Sequence, residues 1–117
     1  NCRRWLLFGI NSPNPLLMSE AERAAIYMPT QSLGADVMKL GMIKSEGARK
    51  RAGFWETKAR LLLSIHDELL FEISDDILKD TISLLHKTLD SVYTLKVPLE
   101  VDVKIGKTWG EVQKYRA

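Results

Sequence analysis

The residues best suited to chemistry stand side by side: His66-Asp67-Glu68. Apolar runs at residues 61–65 and 69–73 flank them, so the triplet reads as an acidic turn between two strands. Carboxylates are hard oxygen donors and suit magnesium, the ion that clamps phosphoryl groups. One carboxylate cannot hold two metals, so such chemistry needs a partner acid from another segment. The other nearby acids do not supply it from a comparable setting. Glu72 falls on the return strand, and Asp75 and Asp76 read as helix starters. The alternative reading of the triplet is a plain polar hairpin turn.

Other chemistries are poorly supported. His-Asp phosphohydrolases need further His and Asp ligands, and the only other histidine is His86, on the flank of an amphipathic helix. There is no Gly-x-Ser-x-Gly elbow, and the single cysteine, Cys2, lies at the chain end. One thiol excludes an internal disulfide and a cysteine-rich zinc site, and it reads as a reducing, intracellular setting.

The surrounding elements must position the triplet. Ser19 followed by Glu22 forms a capping box, which predicts a helix over residues 20–28. Pro29 should kink that helix or start another, and residues 30–51 are rich in helix formers. Gly34 and Gly41, seven apart, suit a close backbone approach. Residues 44–60 are basic, with Phe54 and Trp55 between the charges; this is either a nucleic-acid-binding stretch or a solvated connector. After the hairpin, Ser74-Asp75-Asp76 starts an amphipathic helix through Leu78, Ile82, Leu85, Leu89 and Val92, ending near Tyr93. Alternation from Val97 to Ile105 predicts a one-sided strand. The expected fold class is α+β, with helices packed on a small antiparallel sheet that looks incomplete as a domain.

The 117 residues fit one small domain, and the composition is ordinary for a globular chain, at 45% hydrophobic and 27% charged. No apolar run approaches the roughly 20 residues of a membrane helix, and no membrane partner is expected. Net charge is +2, unevenly spread. Residues 1–60 hold ten Lys/Arg against five Asp/Glu, and residues 61–117 hold seven against ten. A basic half beside an acidic half suits a protein that meets phosphate on one side, though an uneven solvated surface would look the same.

The segment Ser64-Ile65-His66-Asp67-Glu68-Leu69-Leu70-Phe71-Glu72 resembles motif C of family A DNA polymerases. Ala21-Glu22-Arg23-Ala24-Ala25-Ile26, then Met28-Pro29-x-Gln31, then Ala35-Asp36-x-x-Lys39-Leu40, resembles the stretch that precedes motif C in that family. Leu95-Lys96-Val97-Pro98-Leu99-Glu100-Val101-Asp102-Val103 with Gly106-x-x-Trp109-Gly110 is similar to its C-terminal end. Arg3-Arg4 with Ile10-Asn11-Ser12 resembles its arginine-rich stretch. The likeness covers essentially the whole chain, in order.

The resemblance implies template-directed DNA synthesis. The primer 3′-hydroxyl attacks the α-phosphate of a deoxynucleoside triphosphate, pyrophosphate leaves, and two magnesium ions assist. Asp67 would hold metal, with Glu68 supporting it, and His66 would meet the primer 3′ end. Arg23, Gln31, Tyr27, Arg3 and Arg4 would contact primer–template DNA. Arg and Gln donors can check pair geometry in the minor groove, where every base pair offers acceptors.

Several positions depart from the family pattern. Tyr27 replaces a usual Asn, and Gln31-Ser32-Leu33-Gly34-Ala35-Asp36 replaces Gln-Gly-Ser/Thr-Ala-Ala-Asp, closer to phage-type and mitochondrial-type members. Asn1-Cys2 stands at the start of the usual Gly-Arg-Arg-Arg, and Leu7 where Pro is common. The family's second metal aspartate, in motif A, and its fingers helix are not in these residues. Beginning on Asn rather than Met, residues 1–117 read as the C-terminal palm part of a longer polymerase domain, inactive alone. The remainder of that polymerase chain would be its partner. The expected location is an intracellular one where DNA lies: cytoplasm, nucleoid, a phage-infected cell or an organelle. The alternative is a non-catalytic nucleic-acid-binding module derived from the same fold.

Overall fold

The computed structural model describes residues 4–54 and 57–116, so Arg3, Cys2 and Trp55 lie outside the described residues. The elements run α1 (Pro15–Arg51), β1 (Ala59–Ile65), β2 (Glu68–Ile73), a 3-10 turn (Asp75–Ile77), α2 (Leu78–Asp90), β3 (Lys104–Ile105), a second 3-10 turn (Trp109–Glu111) and β4 (Gln113–Lys114). Helices with small antiparallel sheets make the α+β class expected from sequence. The sheets are two separate pairs, β1–β2 and β3–β4.

Two compact units are present, Asn1–Asp36 and Val37–Ala117. In the first, α1 begins earlier than the capping box predicts. The Asn14 side chain accepts a hydrogen bond from Leu16 N–H at 3.0 Å, and Pro15 takes the first helical position. That is a cap followed by a residue whose missing N–H would be orphaned anyway. Ser19 and Glu22 therefore lie inside a helix already under way, and their box is not used. Pro29 also sits inside α1 and neither ends it nor starts another. Its missing N–H forfeits one rung, and long runs of helix formers on both sides carry the helix through. A Cβ at Gly9, whose φ is +92°, would come within 3.3 Å of the Leu17 carbonyl oxygen, so the chain turns there where only Gly fits easily.

In the second unit, α1 ends in a Schellman motif. Phe54 N–H donates to Arg49 C=O at 3.0 Å, Gly53 N–H donates to Lys50 C=O at 3.1 Å, and Gly53 has φ +76°. Gly41, Ser45, Ala48 and Arg49 share the buried face of this stretch. A Cβ at Gly41 would lie 3.2 Å from the Leu89 side chain, which is the close approach anticipated there; Gly34 has open space instead. Lys44 Nζ donates to Val92 C=O at 2.8 Å, placing a cation just past the C-terminal end of α2. The buried apolar residues of the unit are Ala48, Ala59, Ile82, Leu85 and Val92.

Three other expectations are corrected. The α2 region opens as a 3-10 turn without a Ser74 side-chain cap, and α2 stops at Asp90, short of Tyr93. The strand expected over residues 97–105 forms only at Lys104–Ile105, with Val103 C=O accepting from Tyr115 N–H at 2.8 Å just before it; Val97 is 71% exposed and residues 97–102 lie in no strand. A strand without a neighbour leaves its backbone groups to water, so alternation alone does not make one. On the hairpin, Leu62 and Leu63 are 50% and 46% exposed.

Candidate active-site hairpin

The β1–β2 pairing runs from Ala59↔Ile73 at the root to Ile65↔Glu68 at the tip, leaving a two-residue loop, His66-Asp67. Glu68 thus belongs to β2 rather than to the turn. His66 has φ +51°, the only non-Gly positive φ among the described residues. A positive φ in a hairpin loop is most often taken by Gly, Asn or Asp. Holding histidine there costs about 1 kcal/mol. The turn is tight because only two residues join the paired strand ends. It projects His66, Asp67 and Glu68 into solvent, all three exposed.

The register slips between Leu61 and Leu63, so Leu62 is an extra residue in β1. The root is fastened by Arg49, only 3% exposed. Its Nη1 donates to Ala59 C=O at 2.7 Å, its Nε donates to Ser45 C=O at 3.3 Å, and its guanidinium lies 5.3 Å from the Phe71 ring centre. Burial pushes the Arg49 pKa down, opposed by the nearby Glu46 carboxylate. Sequence reading placed Arg49 in a basic surface run. Its spacing after Gly41, Ser45 and Ala48 was the available sign that it faces inward.

The charges around the hairpin are sorted. Arg60 pairs with Glu72 at 2.6 Å, directly across the ladder. Lys58 pairs with Asp76 at 2.6 Å, Lys107 with Asp75 at 2.8 Å, and Lys104 with Glu68 at 3.5 Å. The hydrogen bond from Lys58 holds the Asp76 carboxyl below its usual range, and the bond to Asp75 raises Lys107. Of the five acids on the hairpin and its following turn, four have a cation and Asp67 has none among the described residues. Sequence reading did not single out Lys104, because it looked like one polar position of an alternating strand.

As a metal ligand, Asp67 has the right chemistry: a solvent-facing carboxylate with no ammonium or guanidinium paired to it among the described residues. The number of donors is insufficient for a complete site, since no group of three or more His, Cys, Asp or Glu converges among the described residues. The chain therefore fits a divalent cation as the source of one ligand.

The remaining candidates belong to the first unit. Arg23, Tyr27 and Gln31 follow one another at intervals of four on α1, which aligns them on one helix face, and all three are exposed. Arg4 is exposed as well, and Arg3 lies outside the described residues.

Known proteins give this arrangement a lineage. The POL domain of Pol1 from M. smegmatis, solved in complex with DNA primer-template and dNTP, superposes with a TM-score of 0.75 at 40% identity, over 84% of this chain and 17% of that one. The fold is thus that of a segment of a polymerase domain. The sequence matches the family described as DNA polymerase family A over residues 1–111. DNA polymerase I of Mycobacterium leprae (strain TN) is 38% identical over 108 residues, covering 92% of this chain and 12% of its own length. The thermostable DNA polymerase I of Thermus filiformis is 39% identical over 94 residues, covering 80% and 11%. The chain belongs to DNA polymerase family A, and it spans about an eighth of the length of these relatives.

Proposed function

We infer that residues 1–117 are the C-terminal palm part of a family A polymerase domain, with residues 64–72 as motif C, in a DNA-directed DNA polymerase. The observation that carries this reading is the hairpin tip. Among the described residues Asp67 stands exposed on a two-residue turn with no paired cation, while Glu68, Glu72, Asp75 and Asp76 each have one. A charge left open at a site otherwise balanced is placed to receive a cation. The M. smegmatis neighbour, bound to primer-template and dNTP, supports the same two partners here.

In this reading Asp67 supplies one ligand to magnesium, and the other ligands come from outside residues 1–117. Bound magnesium would stabilise charge on the attacking and leaving oxygens during nucleotidyl transfer. The tight turn fixes the direction of Asp67, and the strained His66 presents its imidazole beside it for the primer terminus. Glu68, engaged by Lys104, supports rather than leads. Arg23, Tyr27 and Gln31 form a donor-bearing stripe for the primer–template minor groove, and Arg4 with Arg3 adds charge for phosphate. Residues 1–117 alone hold too few ligands for the two-metal reaction and would be inactive.

The test is primer extension by the complete polymerase chain with magnesium. Asp67→Ala should abolish extension while primer–template is still bound. Extension that survives Asp67→Ala overturns the catalytic reading and leaves a nucleic-acid-binding module.

A further inference from the structure

An acidic turn beside DNA poses an electrostatic problem. Asp67 and Glu68 are adjacent, both exposed, and together would place two negative charges next to phosphate. Opposite charges near the tip decide whether that repulsion is felt. Lys104 Nζ lies 3.5 Å from Glu68 Oε1. Lys104 sits on β3, opposite Lys114 on β4, and Lys114 is itself taken by Asp102 at 2.8 Å. The C-terminal pair of strands thus carries two lysines, one closing its own acid and one reaching the hairpin. Farther along the same segment, Lys107 meets Asp75 beyond the hairpin's end.

We propose that Lys104 cancels the charge of Glu68 toward DNA, so that the tip presents the single charge of Asp67 to the primer–template. The proposal rests on the polymerase reading and deepens it. Both side chains are more than half exposed, so the pair adds little to stability. Its effect lies in the field it leaves at the tip. A unit charge about 6 Å from a phosphate in water changes binding about threefold.

The experiment measures primer–template affinity of the complete polymerase chain by fluorescence anisotropy, in chelator and at low salt. Without metal, the protein's own charges are read directly, and low salt keeps them unscreened. Lys104→Met should weaken binding about threefold, and Glu68→Gln should tighten it by about the same factor. The double variant Lys104→Met with Glu68→Gln restores the net charge and should bind like the parent. A merely structural role for Lys104 would not be rescued by removing its partner's charge. The proposal is overturned if Lys104→Met leaves affinity unchanged. It is equally overturned if the double variant stays as weak as Lys104→Met, because Lys104 would then contact phosphate by itself. Asp67→Ala in the extension assay tests the polymerase reading separately. Retained extension in that variant overturns the catalytic reading, whatever the affinities show.

Discussion

The two ends of one hairpin are built by opposite rules. At the root, Arg49 is buried and spends its donors on backbone carbonyls of α1 and β1 while its guanidinium lies over Phe71. The β1 start is further held by Ala59 N–H to Phe54 C=O at 2.9 Å and by Ser74 N–H to Lys58 C=O at 2.8 Å. At the tip His66, Asp67 and Glu68 are exposed, a histidine has positive φ, and one carboxylate has no cation among the described residues. The contrast shows how a fixed base allows an exposed end to keep one direction. Burial and hydrogen bonds are concentrated at the root, and the tip carries the positive φ and the open charge.

That contrast can be broken at the tip with the largest effect. Asp67→Asn keeps the shape and removes the charge, and should lower the kcat of primer extension about a thousandfold, the loss of several kcal/mol of charge stabilisation. Breaking the root is a stability experiment. Arg49→Met retains much of the apolar stem but loses both carbonyl contacts, at a cost of about 2 kcal/mol. The readout is faster hydrogen exchange at the β1 and β2 amides of the complete chain; unchanged protection would show that the root is held by other contacts.

A third change sharpens the comparison. His66→Gly relieves the positive φ and should stabilise the hairpin by up to about 1 kcal/mol, while primer extension falls because the imidazole is gone. A variant that gains neither protection nor loses activity would remove strain and function from the tip together.

The smallest effect concerns pH. Hydrogen bonds from Lys58 and Lys114 hold Asp76 and Asp102 below the usual carboxylate range. Groups with depressed folded pKa values stabilise above their unfolded pKa, about 3.9, and lose that contribution as pH falls through the folded value. Lys107, raised by Asp75, has the opposite sign: its contribution is present below about 10.4 and is lost as pH rises through the folded value. The ion pairs flanking the hairpin should therefore be constant between about pH 5 and 9. The denaturation midpoint of Asp102→Asn relative to the parent checks this: the difference should be flat in that window and shrink on acidification below about pH 4.

The tip was legible in the sequence and the root was not. A polar triplet between two apolar runs marks a turn wherever it occurs, because strand periodicity and turn chemistry are both local. The order of motifs likewise disclosed the family. Arg49 was hidden because a basic run says nothing about which member faces inward until the helix phase is tied to a neighbour. Helix limits failed for a related reason. The capping box at Ser19 is a valid start signal, but the Asn14-Pro15 cap begins the helix a turn earlier. The strand expected from Val97 onward had the right alternation and lacked the partner that only tertiary structure supplies. Lys104 became significant only when β3 was seen to bring it to Glu68.

The extra residue at Leu62 has a consequence for how this segment tolerates change in length. Pairs below it and above it are out of step by one, Leu61↔Phe71 against Leu63↔Leu70. Substitutions along β1 alter how well the strand is covered. Insertion or deletion of one residue alters which side of the strand every later position occupies. A sequence drifting by point changes can therefore wander widely here and still aim Asp67 the same way, whereas a single-codon gap or gain would turn the tip over in one step.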